Sequence, residues 1–117
     1  MVTNGSSEIR ALSRDLRALG PAARKRAGDA VVKAVADTKR DAQILAPVDT
    51  GALRSSITGT TTRTIDGAVG EVGPTVEYGI YVELGTSTQP GQPFLGPAFD
   101  RNETPFRLAL IGIGELP

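Results

Sequence analysis

Apolar and polar positions alternate along the chain with two periods, and the change from one to the other divides it. Residues 1–5 carry no pattern and read as a frayed terminus. From an N-cap at Ser6 or Ser7, residues Ile9, Leu12, Leu16 and Leu19 follow i, i+3, i+7, i+10. This predicts a short helix with Arg10, Arg14, Asp15 and Arg17 on its wetter sides. Gly20 stands at its C-cap and Pro21 at the first position of a second helix. That helix is expected to run to about Ala46, with Pro47 stopping it. Ala27, Val31, Ala34, Thr38, Ala42 and Leu45 recur along one side. A stripe of such small residues suits close packing against a sheet. On the wet side, Lys33–Asp37 attract and Asp37–Asp41 repel across single turns.

After Pro47 the pattern turns to strands and tight turns. Asp49 or Thr50 can cap one helical turn holding Ala52 and Leu53, with Gly51 easing the bend. Ile57 to Ile65 is rich in threonine, which favours strands. Asp66-Gly67 is a two-residue hairpin signal. A turn there pairs Ile65 with Ala68, Arg63 with Gly70 and Thr61 with Val72. Ile57, Thr61, Ile65, Ala68 and Val72 then share one face, leaving Thr58, Thr60, Thr62, Thr64 and Glu71 to solvent or a partner. Gly73-Pro74 ends the hairpin. Val76 to Leu84 reads as a helical turn followed by a third strand, and residues 85–93 as a flexible polar loop. Phe94 and Leu95 re-enter the core. Pro97 opens a last helix bearing Phe99, Phe106 and Leu110, which Pro105 should kink or split, and residues 112–117 should fray. The order α-α-β-β-(α/β)-α describes a single α+β domain over residues 1–117. Its small antiparallel β-sheet is packed by a long N-terminal helix and a C-terminal helix.

Composition narrows the chemistry. Of 117 residues (12.2 kDa), 39% are hydrophobic but only 4% aromatic, so aliphatic side chains must fill most of the core. There is no His, Cys or Trp. Nucleophile–histidine mechanisms, disulfides and Cys/His zinc sites are therefore excluded, and any metal would need an all-oxygen site. No apolar run reaches the ~18 residues of a membrane helix and no signal-peptide pattern opens the chain, so the expectation is no membrane partner and synthesis in the cytoplasm. Thirteen basic residues balance thirteen acidic ones. Residues 1–47 hold nine basic against five acidic, however, and residues 48–117 four against eight. Either these are two solvated surfaces of opposite sign, or copies pack basic part to acidic part.

Catalysis finds no support. Among Asp66, Glu71, Glu77, Glu83 and Asp100, the first is explained by its turn and the second by an exposed strand position. Ser55 or Ser56 has no lysine nearby, since Lys25, Lys33 and Lys39 all lie on the long helix. Gly67, Gly70 and Gly73 lack the strand–loop–helix setting of a phosphate loop. No enzyme activity and no cofactor are expected. The basic stretch Arg24-Lys25-Arg26, Lys33, Lys39 and Arg40 raises the alternative of a small DNA-binding accessory protein. No aromatic precedes Tyr78 to stack on bases, and a solvated or protein-contacting helix face explains it better.

Three segments carry the most specific signal: Ala46-Pro47-Val48-Asp49-Thr50-Gly51-Ala52-Leu53-Arg54-Ser55-Ser56-Ile57, Tyr78-Gly79-Ile80-Tyr81-Val82-Glu83-Leu84-Gly85-Thr86, and Gln92-Pro93-Phe94-Leu95-Gly96-Pro97-Ala98. In this order and spacing the chain resembles the tail-completion, or head–tail joining, proteins of long-tailed bacteriophages, from about Ile9 to Phe106. It departs at Gly79 for alanine, Leu84 for an aromatic and Gly96 for a frequent basic residue. Physically, Pro47, Asp49, Thr50 and Gly51 turn the chain, while Leu53 and Ile57 pin it and Arg54 points outward. Tyr78, Tyr81, Val82 and Leu84 should pack, with Glu83 left for a charge contact. Gly85 launches the loop, and Pro93 and Pro97 hold Phe94 in place.

The resemblance implies a structural virion protein at the head–tail interface, assembled in the host bacterial cytoplasm. It would form a ring, a hexamer to match the tail's symmetry, at the top of the tail tube. Its neighbours would be the tail terminator or tail tube protein and a head-proximal neck or stopper protein, with DNA passing through unbound. A tail terminator capping the tube is the alternative within that class. The expected contact residues are Arg24, Arg26, Lys33 and Arg40 on the basic helix, Arg54, Glu71 and Glu83, and Thr86, Gln89 and Gln92 in the loop.

Overall fold

Helix α1 (Pro21–Leu45) begins where the paired Gly20-Pro21 signal sits: Gly20 is extended at the N-cap and Pro21 occupies the first turn. It ends as Ala46 turns extended ahead of Pro47, its amide still donating to the Ala42 carbonyl at 2.9 Å. The computed structural model describes residues 20–47, 51–64 and 67–114. The helix expected over residues 6–19, the cap at Asp49 or Thr50, and Ile65-Asp66 lie outside the described residues, as do residues 115–117.

The buried arc of α1 is broader than one stripe. Ala27, Val31, Ala34, Thr38 and Ala42 are buried as expected, and Gly28, Val35 and Asp41 join them. The reason is that α1 is covered on two sides, by a sheet and by the last helix. Past Pro47, Gly51 caps the short α2 (Ala52–Ser56) in a left-handed conformation (φ 76°), and Leu53 is buried beneath it.

Strands β1 (Ile57–Thr64) and β2 (Gly67–Pro74) pair antiparallel as a two-stranded sheet. Thr64 faces Gly67, Arg63 faces Ala68, Thr61 faces Gly70 and Gly59 faces Val72. This corrects the register read from Asp66-Gly67 by two residues, which moves every pairing yet leaves each described side chain on its expected face. Packing explains the choice. A β-carbon on Gly59 would lie 2.7 Å from Val35 Cγ1, so only the bare glycine lets α1 close on the sheet opposite buried Val72. Threonine, which the other register sets there, would not fit. On the outer face Thr58, Thr60, Thr62, Thr64 and Glu71 are all exposed.

The third strand does not form among the described residues. Pro74 ends β2, and Val76–Leu84 becomes a tight turn and then α3 (Gly79–Leu84), with the Tyr81 and Val82 amides both donating to the Tyr78 carbonyl. Helix α4 (Leu95–Gly114) begins two residues before Pro97 and runs unbroken through Pro105. The expected break is absent because Asn102 and Phe106 bracket the proline with contacts inward. The Asn102 amide donates to the Ala98 carbonyl and to Asp41 (both 2.8 Å), and Phe106 is buried. Helix α4 runs antiparallel to α1: Asn102 meets Asp41, and Phe106 and Ala109 share a cleft with Ala30 and Ala34. The architecture is α+β, with sheet, α1 and α4 in successive layers. All three phenylalanines (Phe94, Phe99, Phe106) lie in the core with Ile57, Leu95 and Val31.

Candidate assembly surface

The last two motifs meet at one junction, and Glu83 joins them. Its Oε1 accepts the amides of Phe94 (3.0 Å) and Leu95 (2.8 Å), and its Oε2 accepts that of Gly96 (3.0 Å). A carboxylate thus caps the first turn of α4 from a neighbouring helix, satisfying donors that a helix start leaves open and favoured by the helix dipole. The carboxylate expected to be left for a charge contact is engaged within the chain. Phe94 and Leu95 are thereby seated in the core, at 0% and 2% exposure.

Residues 85–92 fold back between these partners. Gly85 (φ 86°) bridges to Pro90, the Thr86 amide donates to the Gln89 carbonyl at 2.8 Å, and the Gln92 amide donates to the Val82 carbonyl at 2.7 Å. The Thr86 hydroxyl accepts the amides of Thr88 and Gln89. A β-carbon on Gly85 would come within 2.5 Å of the Gly91 nitrogen, so backbone touches backbone here and no other residue fits. The side chains of Gln89, Gln92, Pro93 and Pro97 belong to exposed residues.

The expected packing of the tyrosines is corrected. Tyr78 is 44% exposed, Tyr81 60% and Leu84 61%; only Val82 of that group packs on the core. On a helix of six residues one side goes inward, and Gly79 takes that side against Pro74 and Leu53, turning the tyrosines out.

The basic residues of α1 are dispersed round the helix. Lys33 pairs with Asp37 at 2.5 Å and Arg40 with Asp37 at 3.1 Å, so these two are engaged along their own helix. Arg26 is exposed, and Arg24 lines a cleft with Pro21, Lys25, Arg63, Thr64 and Gly67. Asp29 bridges Lys25 (3.3 Å) and Arg63 (2.7 Å) across to the hairpin. The Arg63 hydrogen bond, and then that of Lys25, hold the Asp29 carboxyl below the usual range. At Asp37 the Lys33 hydrogen bond is the main cause; partial burial opposes it, and the charges of Lys33 and Arg40 add to it, so that carboxyl too is held below the usual range. The Arg54 Nε is buried without a hydrogen-bond partner among the described residues, where an outward-pointing side chain was expected. Glu71 stands on the threonine face, opposite Thr60.

Sequence reasoning missed the buried Asp41, whose carboxylate takes Asn102 at 2.8 Å with Arg40 at 3.7 Å and Arg101 at 3.9 Å. Its signal was present: a polar residue at i+7 from Ala34, within an apolar arc. The cleft between α1 and α4 (≈ 110 Å³), and that at Arg24 (≈ 220 Å³), are smaller than the several hundred Å³ of typical small-molecule sites. Among the described residues no cluster of His, Cys, Asp or Glu is placed to hold a metal, and no helix is long and apolar enough to cross a membrane.

A surface of exposed tyrosines, threonines and dispersed charge, over a junction fixed by backbone hydrogen bonds, suits contact with other proteins. No curated protein and no solved structure matches the chain. A family model described as "Bacteriophage HK97-gp10, putative tail-component" matches residues 10–85, which spans the first motif and all but Thr86 of the second. The chain belongs to the HK97-gp10-like family of bacteriophage tail components.

Proposed function

We propose that this tail component is the tail-completion, or head–tail joining, subunit of a long-tailed phage. Copies form a ring at the top of the tail tube, a hexamer in keeping with six-fold tail symmetry. The ring contacts the tail terminator or tail tube protein on one side and a neck or stopper protein on the other. DNA passes through it without specific binding, and it acts by contact without catalysis, as one domain over residues 1–117 within the virion. The observation that carries this reading is the membership of a tail-component family together with three motifs in the order and spacing of the joining proteins.

The geometry supports it as well. The second and third motifs are residues that lock α3 to α4, a rigid support for exposed side chains. The loop of residues 85–93, which would order further on meeting the next ring, brings Thr86, Gln89 and Gln92 to the surface.

Imaging of intact particles and of tails from a strain lacking the protein tests the proposal. The expected result is a ring of this chain between tube and neck, with full-length tails left unjoined in its absence. Tails of uncontrolled length would instead identify a terminator. A salt-sensitive shift of DNA by the purified chain, with no ring in particles, would favour the accessory DNA-binding reading.

A further inference from the structure

The molecule has two unlike ends. One gathers the N-terminus of α1, the hairpin tip and the C-terminus of α4, since Arg24 and Lys25 share a cleft with Thr64 and Gly67 and α4 runs antiparallel to α1. The other gathers α2, α3, the base of the hairpin and the N-terminus of α4, tied by the Thr75 amide to the Ser56 carbonyl and by Glu83 to Leu95. Each end exposes an apolar patch. At the first, Leu108 (61% exposed) and Ile111 (51%) lie one turn apart on the outer side of α4, around a helix whose inner side, Phe106 and Leu110, is buried. At the second, Tyr78 at the N-cap of α3 and Tyr81 and Leu84 within it recur every three residues. Leu108 lies thirteen residues along α4 from Leu95, about 20 Å of helix rise.

The ends also differ in charge. Arg24 and Arg26, at the first, make no ion pair among the described residues, and Glu77, beside Tyr78 at the second, makes none either. A single chain that carries two different apolar patches, with ion-pair-free arginines Arg24 and Arg26 at one end and ion-pair-free Glu77 at the other, has what a head-to-tail contact requires. Each copy offers one patch forward and the other back, and such a series makes a ring when the rotation from copy to copy closes.

We propose that the Tyr78–Tyr81–Leu84 face of one copy docks on the Leu108–Ile111 face of the next, with Glu77 brought to the Arg24–Arg26 end. This rests on the ring reading above and specifies its interface. Tyrosine presents a broad apolar ring of low conformational freedom with a hydroxyl able to bond at the rim, which suits it to such a contact. The charges set direction and speed of docking more than strength.

The natural chain has no cysteine, so introduced thiols report only on the positions chosen. In assembled particles, a Tyr81→Cys/Leu108→Cys variant under mild oxidation should give a ladder of linked chains that reductant collapses, while each single variant stays monomeric. Both sites within one chain are too far apart to join, because disulfide Cα atoms lie about 4.4–6.8 Å apart. Tyr81→Asp and Leu108→Asp, both at exposed positions, should leave thermal unfolding unchanged but each reduce joined tails at least tenfold. Mixed together, they should form a dimer through the one intact interface. Linking of Tyr81→Cys alone, linking of Leu108→Cys to another tail protein, or normal joining by Leu108→Asp would overturn the proposal. A ring seen in particles without the double-variant ladder removes this contact and leaves the ring standing. Particles without a ring of this chain remove both.

Discussion

At the junction of α1 with the sheet, Gly59 omits a side chain so that Val35 can reach the strand, within a core that also holds Ala27, Val31, Ala68 and Val72. At the junction of α3 with α4, one carboxylate gathers three amides, and Gly85 and Gly91 touch through backbone atoms. The first junction is held by shape and apolar burial, the second by polar satisfaction at a helix start. The difference teaches where each is vulnerable: added volume breaks the first, and removal of an acceptor breaks the second.

The largest effect should come from Glu83→Ala. Three amides near the start of α4 lose their acceptor, and stability in denaturant should fall by about 3 kcal/mol. That is a large share of the ~5–15 kcal/mol of a typical domain. Glu83→Gln keeps an acceptor without the charge and should cost about half as much. If alanine costs under about 1 kcal/mol, burial of Phe94 and Leu95 holds the junction and the contrast fails.

Gly59→Ala should cost about 1–2 kcal/mol by overpacking. Adding Val35→Ala should recover part of it, and a double-mutant cycle should show coupling of at least about 0.5 kcal/mol. Simple additivity would mean the clash is relieved elsewhere. A smaller effect is expected of Arg63→Ala, which removes a solvent-exposed tie between the hairpin and Asp29; its thermal shift should sit near the detection limit and vanish in high salt.

Acidification gives the smallest response. Asp29 and Asp37 have folded-state values below the unfolded ones, so their contribution is present above the ordinary carboxylate range and is lost as pH falls through the lowered values. With no histidine, melting temperature should stay level between about pH 5 and 8 and decline only in acid. A step near pH 6.5 would contradict this.

Much of the fold is legible in local chemistry. Pro21 and Pro47 bound α1, the threonine run gives β1, and the spacing of Ala27, Val31, Ala34, Thr38 and Ala42 gives the inner side of the helix. The register is not legible that way. Asp66-Gly67 is a good turn on its own, but Gly59 has to lie over Val35, and that demand comes from a helix more than twenty residues earlier. Nor does spacing reveal the duty of Glu83, whose partners begin eleven residues on. The second and third motifs are visible as strings, while their joint role needs the loop of residues 85–92 folded back between them.

The sequence by itself determined the class of protein. Residue types that are absent need no folding to exclude a chemistry, and prolines and helical periodicity act within a few residues of where they stand. Only the tertiary structure decided which apolar residues are core and which are surface. Tyr81 and Phe94 look equally suited to burial in the chain, yet Gly79 takes the inner side of α3 and leaves Tyr81 in water, while Glu83 seats Phe94 at 0% exposure. Burial depends on what comes across from distant elements, and no local pattern carries that. The missing histidine and cysteine exclude nucleophile–histidine mechanisms and Cys/His metal sites, while the packing of α3 and α4 decides which faces stand open to solvent.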